Sequence, residues 1–99
     1  MNRQEHEILS IAQEECAEVI QSISKIFRFG FDAKHPNETN NNQERLEEEL
    51  GDLQCMISLM LEFGLVREEA LMRAEAKKFE KLKVWSNIFK EETNVKYVS

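Results

Sequence analysis

Proline and glycine are scarce in this chain of 99 residues: one proline and three glycines. That leaves few sites for tight turns and speaks against an all-β fold, which needs many. Cysteine is also rare. The two present, Cys16 and Cys55, have neither CxxC spacing nor a histidine nearby, which excludes a disulfide scaffold and a zinc ribbon. They read as reduced thiols in or near the core, as in a cytosolic protein. No apolar run approaches the ~20 residues that span a bilayer; the longest, "CMISLML", contains a serine. The opening "MNRQEHEILS" has no signal-peptide core. Positive charge is short as well. The formal net charge is -6, where a nucleic-acid-binding surface is usually basic.

What is abundant is Glu, Lys, Leu, Ile and Ala in helix-favouring order. Apolar residues are 41% and charged residues 32%, ordinary for one soluble domain with exposed helix faces. Ile8, Leu9, Ala12, Cys16, Val19, Ile20, Ile23, Ile26 and Phe27 recur at helical spacing, predicting a helix over about 3–28 that stops near Gly30. "FDAKHPNETNNNQ" follows and predicts a loop over about 30–43. A second helix is predicted over about 44–63, ending at Gly64, and a third over about 67–89, with an aperiodic tail over 90–99. The expected fold is all-α: an antiparallel bundle of three main helices. Their apolar faces are wide for three short helices, so self-association into a four-helix core is expected, as a homodimer or homotetramer.

Four carboxylates sit oddly in this scheme. On a helical wheel, Glu49 falls between Met56 and Met60, and Asp52 between Leu59 and Phe63. Glu15 falls between Ile11 on one side and Ile8 and Ile26 on the other, with Glu18 at the edge of that arc. Each of two helices thus carries an i, i+3 carboxylate pair, and apolar packing of the helices would bring all four together. Acidic residues such as Glu44, Glu47, Glu48 and Glu62 read instead as solvated surface.

Such a cluster is expensive when empty. Two like charges about 4 Å apart repel by roughly 4 kcal/mol at an effective dielectric near 20, and desolvation adds to this. A domain stable by about 5–15 kcal/mol needs a cation there. His6 lies near the start and His35 in the loop, so nitrogen and sulfur ligands are missing. All-oxygen ligation points to Mg²⁺, with Mn²⁺ as the alternative. For phosphate contacts the sequence offers Lys25 and Arg28 after the first carboxylate pair. On the third helix it offers Lys78 and Lys81, near the apolar side, where they either meet phosphate or snorkel. Glu75 also lands on an apolar arc, with no ligand role.

The stretches "EECAEVIQSISK", "ERLEEELGDLQCMI" and "GLVREEALMRAEAKKFEKL" resemble the MazG-like, all-α nucleotide pyrophosphohydrolases. The Glu-x-x-Glu and Glu-x-x-Asp pairs of that family are matched by Glu15/Glu18 and Glu49/Asp52, and the connection resembles small, often phage-encoded members. The resemblance implies a cytoplasmic enzyme that cleaves a nucleoside triphosphate between its α and β phosphates. Glu15, Glu18, Glu49 and Asp52 would hold Mg²⁺ and supply a base, while Lys25, Arg28, Lys78 and Lys81 would bind the phosphates. The Asn-rich loop reads either as a base or sugar contact or as a plain linker. Two other readings stay open: a non-catalytic helical-bundle interaction protein on the same scaffold, and an enzyme for a phosphoribosyl-ATP-like substrate. No nucleic-acid or membrane partner is expected.

Overall fold

In the computed structural model, which describes residues 1–90, the chain is all-α. Helix α1 spans Arg3–Phe29, α2 spans Asn42–Glu62 and α3 spans Glu68–Trp85. The third helix ends four residues short of the expected position. Ser86 takes an extended backbone there, and its Oγ donates to the Leu82 carbonyl at 2.7 Å. The expected tail lies, from residue 91 on, outside the described residues.

The starts of α1 and α2 are built alike. Asn2 accepts from the Glu5 N–H at 2.8 Å, and the Glu5 carboxylate accepts in return from the Asn2 N–H at 3.4 Å. Asn41 and Glu44 repeat this reciprocal pair at 2.9 and 3.0 Å. Both are capping boxes, which satisfy amide groups a helix start leaves unpaired. The second one begins α2 two residues earlier than hydrophobic periodicity alone indicates. Gly64, at φ 71°, takes a left-handed conformation after α2 that glycine adopts without penalty. The N–H of Leu65 then donates to the Met60 carbonyl at 2.8 Å.

The chain divides into two compact units, Met1–Leu65 and a second beginning at Val66. In the first unit α1 and α2 form an antiparallel hairpin. Ile8 near the start of α1 clusters with Met56 near the end of α2, and Gly30 at the end of α1 accepts a hydrogen bond from Asn42 at the start of α2. The inward stripe of α1 runs Ile8, Ala12, Glu15, Val19, Ser22 and Ile26; that of α2 runs Asn42, Leu46, Glu49, Leu53, Met56 and Met60. Each member is buried or half-buried, at the i, i+3/i+4 spacing of a helix face.

The apolar core is concentrated at one end, around Ile8, Ala12 and Met56, with Leu59, Met60 and Leu65 packed against it. The other end is closed by polar groups, with Ser22 and Asn42 buried. Several residues counted toward the α1 apolar face lie on its open side instead, Ile20 and Phe27 being 65% and 85% exposed. Both cysteines are likewise exposed, which corrects their reading as thiols in or near the core. They lie one step around the helix from the inward stripe.

The loop over 30–41 is tied to α2 rather than loose. The Asn42 N–H donates to the Ala33 carbonyl at 2.9 Å and the Gln43 N–H to the Phe31 carbonyl at 3.0 Å. The Arg45 guanidinium pairs with Glu38 at 2.9 Å. In the second unit, α3 has no buried residue, and Phe79 and Phe89 approach with ring centroids 6.2 Å apart. Replacing Asn41 with Ala is expected to lower stability by about 1 kcal/mol, with Asn41→Asp recovering most of it. Urea denaturation measures this, and an unchanged midpoint for Asn41→Ala would show that the cap contributes nothing.

Candidate metal centre

Glu15 and Glu49 occupy the middle of the two inward stripes, where a helix hairpin normally places apolar side chains. Antiparallel pairing sets residue 15 opposite 49–52, as it sets residue 8 opposite 56. Glu15, Glu49 and Asp52 each offer a carboxylate oxygen, and these oxygens all lie within 4.8 Å of one another. Glu15 and Glu49 are half-buried and Asp52 is exposed. Glu18, also exposed, lies one turn beyond Glu15 and outside this group of three, but close enough to act on Glu49.

The electrostatics of Glu49 record the crowding. Burial, and then the charges of Glu18, Asp52 and Glu15, push its carboxyl above its ordinary value of 4.5; the Arg45 guanidinium, one turn earlier, pulls the other way. Among the described residues the ion pairs are Arg45–Glu38 and Lys83–Glu80, and neither involves the four carboxylates. Arg45 is the member of this environment that the sequence reading passed over. Its i, i+4 spacing to Glu49 was the available signal.

The donor set suits a hard divalent cation: oxygen ligands, partial burial, and no histidine or cysteine in the group. Magnesium and manganese fit such donors better than zinc or copper. Of the phosphate-contact candidates, Lys25 is half-buried two turns beyond Glu18. Arg28 is exposed, its guanidinium 5.0 Å from the Phe29 ring centroid. Lys78 and Lys81 lie on α3 in the second unit, both exposed; Lys78 lines a hollow there with Glu75, Phe79 and Leu82.

A helical chain with an oxygen-only acidic cluster is consistent with several families, and comparison with known proteins narrows this to one. The family model described as MazG nucleotide pyrophosphohydrolase domain matches residues 3–83. The chain belongs to that family. No curated protein and no solved structure matches it.

Because the folded state raises the Glu49 pKa, the folded chain binds more protons than the unfolded chain just above pH 4.5. The metal-free protein should therefore be stabilised by Glu49 protonation at acid pH. It should lose that contribution as pH rises through the folded-state pKa. The expected outcome is a smaller fall in stability over this window for Glu49→Gln than for the parent, read from urea midpoints in EDTA. Parallel pH profiles would show that Glu49 is not perturbed.

Proposed function

We propose that this chain is a Mg²⁺-dependent pyrophosphohydrolase, with Mn²⁺ as an alternative ion. It would cleave the α–β phosphoanhydride of a ribo- or deoxyribonucleoside triphosphate to the monophosphate and pyrophosphate. The observation that carries the reading is the convergence of carboxylate oxygens from Glu15, Glu49 and Asp52, all within 4.8 Å of one another, in a chain of the MazG family.

In this reading Glu15, Glu49 and Asp52 hold the ion. A bound divalent cation offsets the charge of the triphosphate and lowers the pKa of a coordinated water. Glu18 lies outside the group of three, which leaves its carboxylate available to take the proton from the attacking water. As the water oxygen bonds to phosphorus, the bridging α–β P–O bond breaks and the bridging oxygen leaves with its electron pair. Lys25 and Arg28 on α1 stabilise charge on the phosphates and the departing pyrophosphate. The half-buried position of Lys25 on the face that carries the carboxylates supports its part.

The protein acts as a homodimer or homotetramer in this proposal, with α1–α2 hairpins pairing into a four-helix core. The support is apolar surface that the single chain leaves open: Ile20 and Phe27 in the first unit, and Met72, Val84 and Trp85 in the second. Sedimentation at micromolar concentration should show a species larger than the 11.7 kDa chain. A clean monomer would remove self-association.

The test of function is to incubate the protein with each common nucleoside triphosphate and Mg²⁺, assaying pyrophosphate and orthophosphate separately. Metal-dependent pyrophosphate release is expected. Glu49→Gln, which removes a ligand to the ion, should abolish it while leaving helicity by circular dichroism intact. No release from any triphosphate, together with no thermal shift from Mg²⁺ or Mn²⁺, would reject the hydrolase reading. The same result would favour an interaction scaffold.

A further inference from the structure

The Asn-rich connection offers amides for base recognition, but the fold uses them elsewhere. Asn41 caps α2, Asn40 donates from Nδ2 to Glu48, and Asn42 donates from Nδ2 to the Gly30 carbonyl at 2.9 Å. With Asn42 only 5% exposed, these bonds shape the connection itself. What they shape is a hollow. Phe29, Ala33, Lys34, His35 and Asn42 line a cavity of 270 Å³, just below the roughly 300–1,000 Å³ typical of small-ligand sites.

The walls of this cavity have a definite chemistry. Phe29 and His35 meet edge to face, with centroids 6.5 Å apart and planes at 68°. That leaves no slot for a ring between them, but it makes a corner in which a flat ring lies on one face and meets the edge of the other. Lys34 adds a cation to the lining, and the Arg28 guanidinium lies over Phe29. The hydrogen bonds from Asn42 and Gln43 to Gly30, Ala33 and Phe31 hold the backbone around the corner in place. The Glu38 N–H adds a turn by donating to the His35 carbonyl at 3.0 Å. The hollow is therefore formed in advance of any ligand.

Its position matters as much as its walls. Asn42 and Glu49 share the inward stripe of α2, seven residues and hence about 10 Å apart along the helix. That is about the reach of a nucleotide from its base to its phosphates.

We infer that the Phe29–His35 corner binds the heterocyclic base of the nucleotide whose phosphates meet the carboxylate cluster. This inference rests on the pyrophosphohydrolase reading for the phosphate end. The aromatic faces make the pocket tolerant of base identity, because every base presents a flat π-face; the polar groups at the rim then set the preference.

The test follows the imidazole resonances of the two histidines by NMR while nucleosides, which carry no phosphate, are added to millimolar concentration without metal. His35 signals should move and His6, near the other end of α1, should stay still. Phe29→Ala should abolish the movement and Phe29→Tyr should retain it. In the turnover assay His35→Ala should raise KM on the order of tenfold, the loss expected for one stacked aromatic, with His35→Phe restoring it.

Movement of His35 in a protein that hydrolyses no triphosphate would support the base pocket and reject the hydrolase reading. Hydrolysis with both histidines unmoved by nucleosides, and an unchanged KM in His35→Ala, would overturn the pocket and leave the hydrolase reading intact. Neither hydrolysis nor movement would overturn both.

Discussion

Mutual repulsion among carboxylates set on the inward faces of two packed helices is the constraint around which the first unit is organised. Glu15 and Glu49 take positions that the periodicity of α1 and α2 assigns to the core. The hairpin consequently has no continuous apolar seam. It has an apolar end at Ile8, Ala12 and Met56, a charged middle, and a polar end where Asn42 bonds the Gly30 carbonyl. Each segment solves a different problem. The apolar end supplies burial, the polar end fixes the entry and exit of the connection, and the middle is left for something cationic. A fold stabilised mainly by its ends tolerates an unfavourable centre. It gains from any ion that neutralises that centre, since a ligand bound only by the folded state stabilises it by mass action.

How much of this the sequence disclosed depends on the kind of question asked. Helical periodicity is a local property, so α1 and α2 and the anomalous wheel positions of Glu15 and Glu49 were legible from residue spacing. Which neighbour covers a face is a non-local property, and there the sequence was silent. Ile20, Phe27, Cys16 and Cys55 carry apolar or thiol side chains at helical spacing, but α2 lies along only one side of α1 and leaves them open. Asp52 reads as inward on the wheel and is exposed, because the stripe that meets α1 passes through Glu49 and Leu53. The close of α3 at Trp85 was missed for a related reason. Ile88 and Phe89 keep the apolar rhythm going past the point where the backbone at Ser86 leaves the helix.

The connection between α1 and α2 shows how residue type and role part company. A run of asparagines beside a proline is ordinary loop chemistry, and amides are also suited to ligand recognition. Here one asparagine caps a helix, the next bonds the end of the preceding helix, and a third reaches a glutamate. What the loop presents outward is therefore set less by its asparagines than by the aromatic residues at and after the end of α1. An amide run recognisable in the sequence builds the frame, and inconspicuous neighbours line the space within it.

Arg45 ties these regions together in one further way. Its guanidinium is held by Glu38 of the connection at 2.9 Å, and the same positive charge opposes the upward displacement of the Glu49 pKa. Two carboxylates thus share one cationic side chain, one by direct contact and one through the field. By holding the guanidinium, Glu38 fixes the place from which that positive charge acts on Glu49. The connection is in this sense an electrical component of the carboxylate cluster, a turn away from it and touching none of its oxygens. Its acidic residue anchors the side chain whose charge favours the ionised form of Glu49.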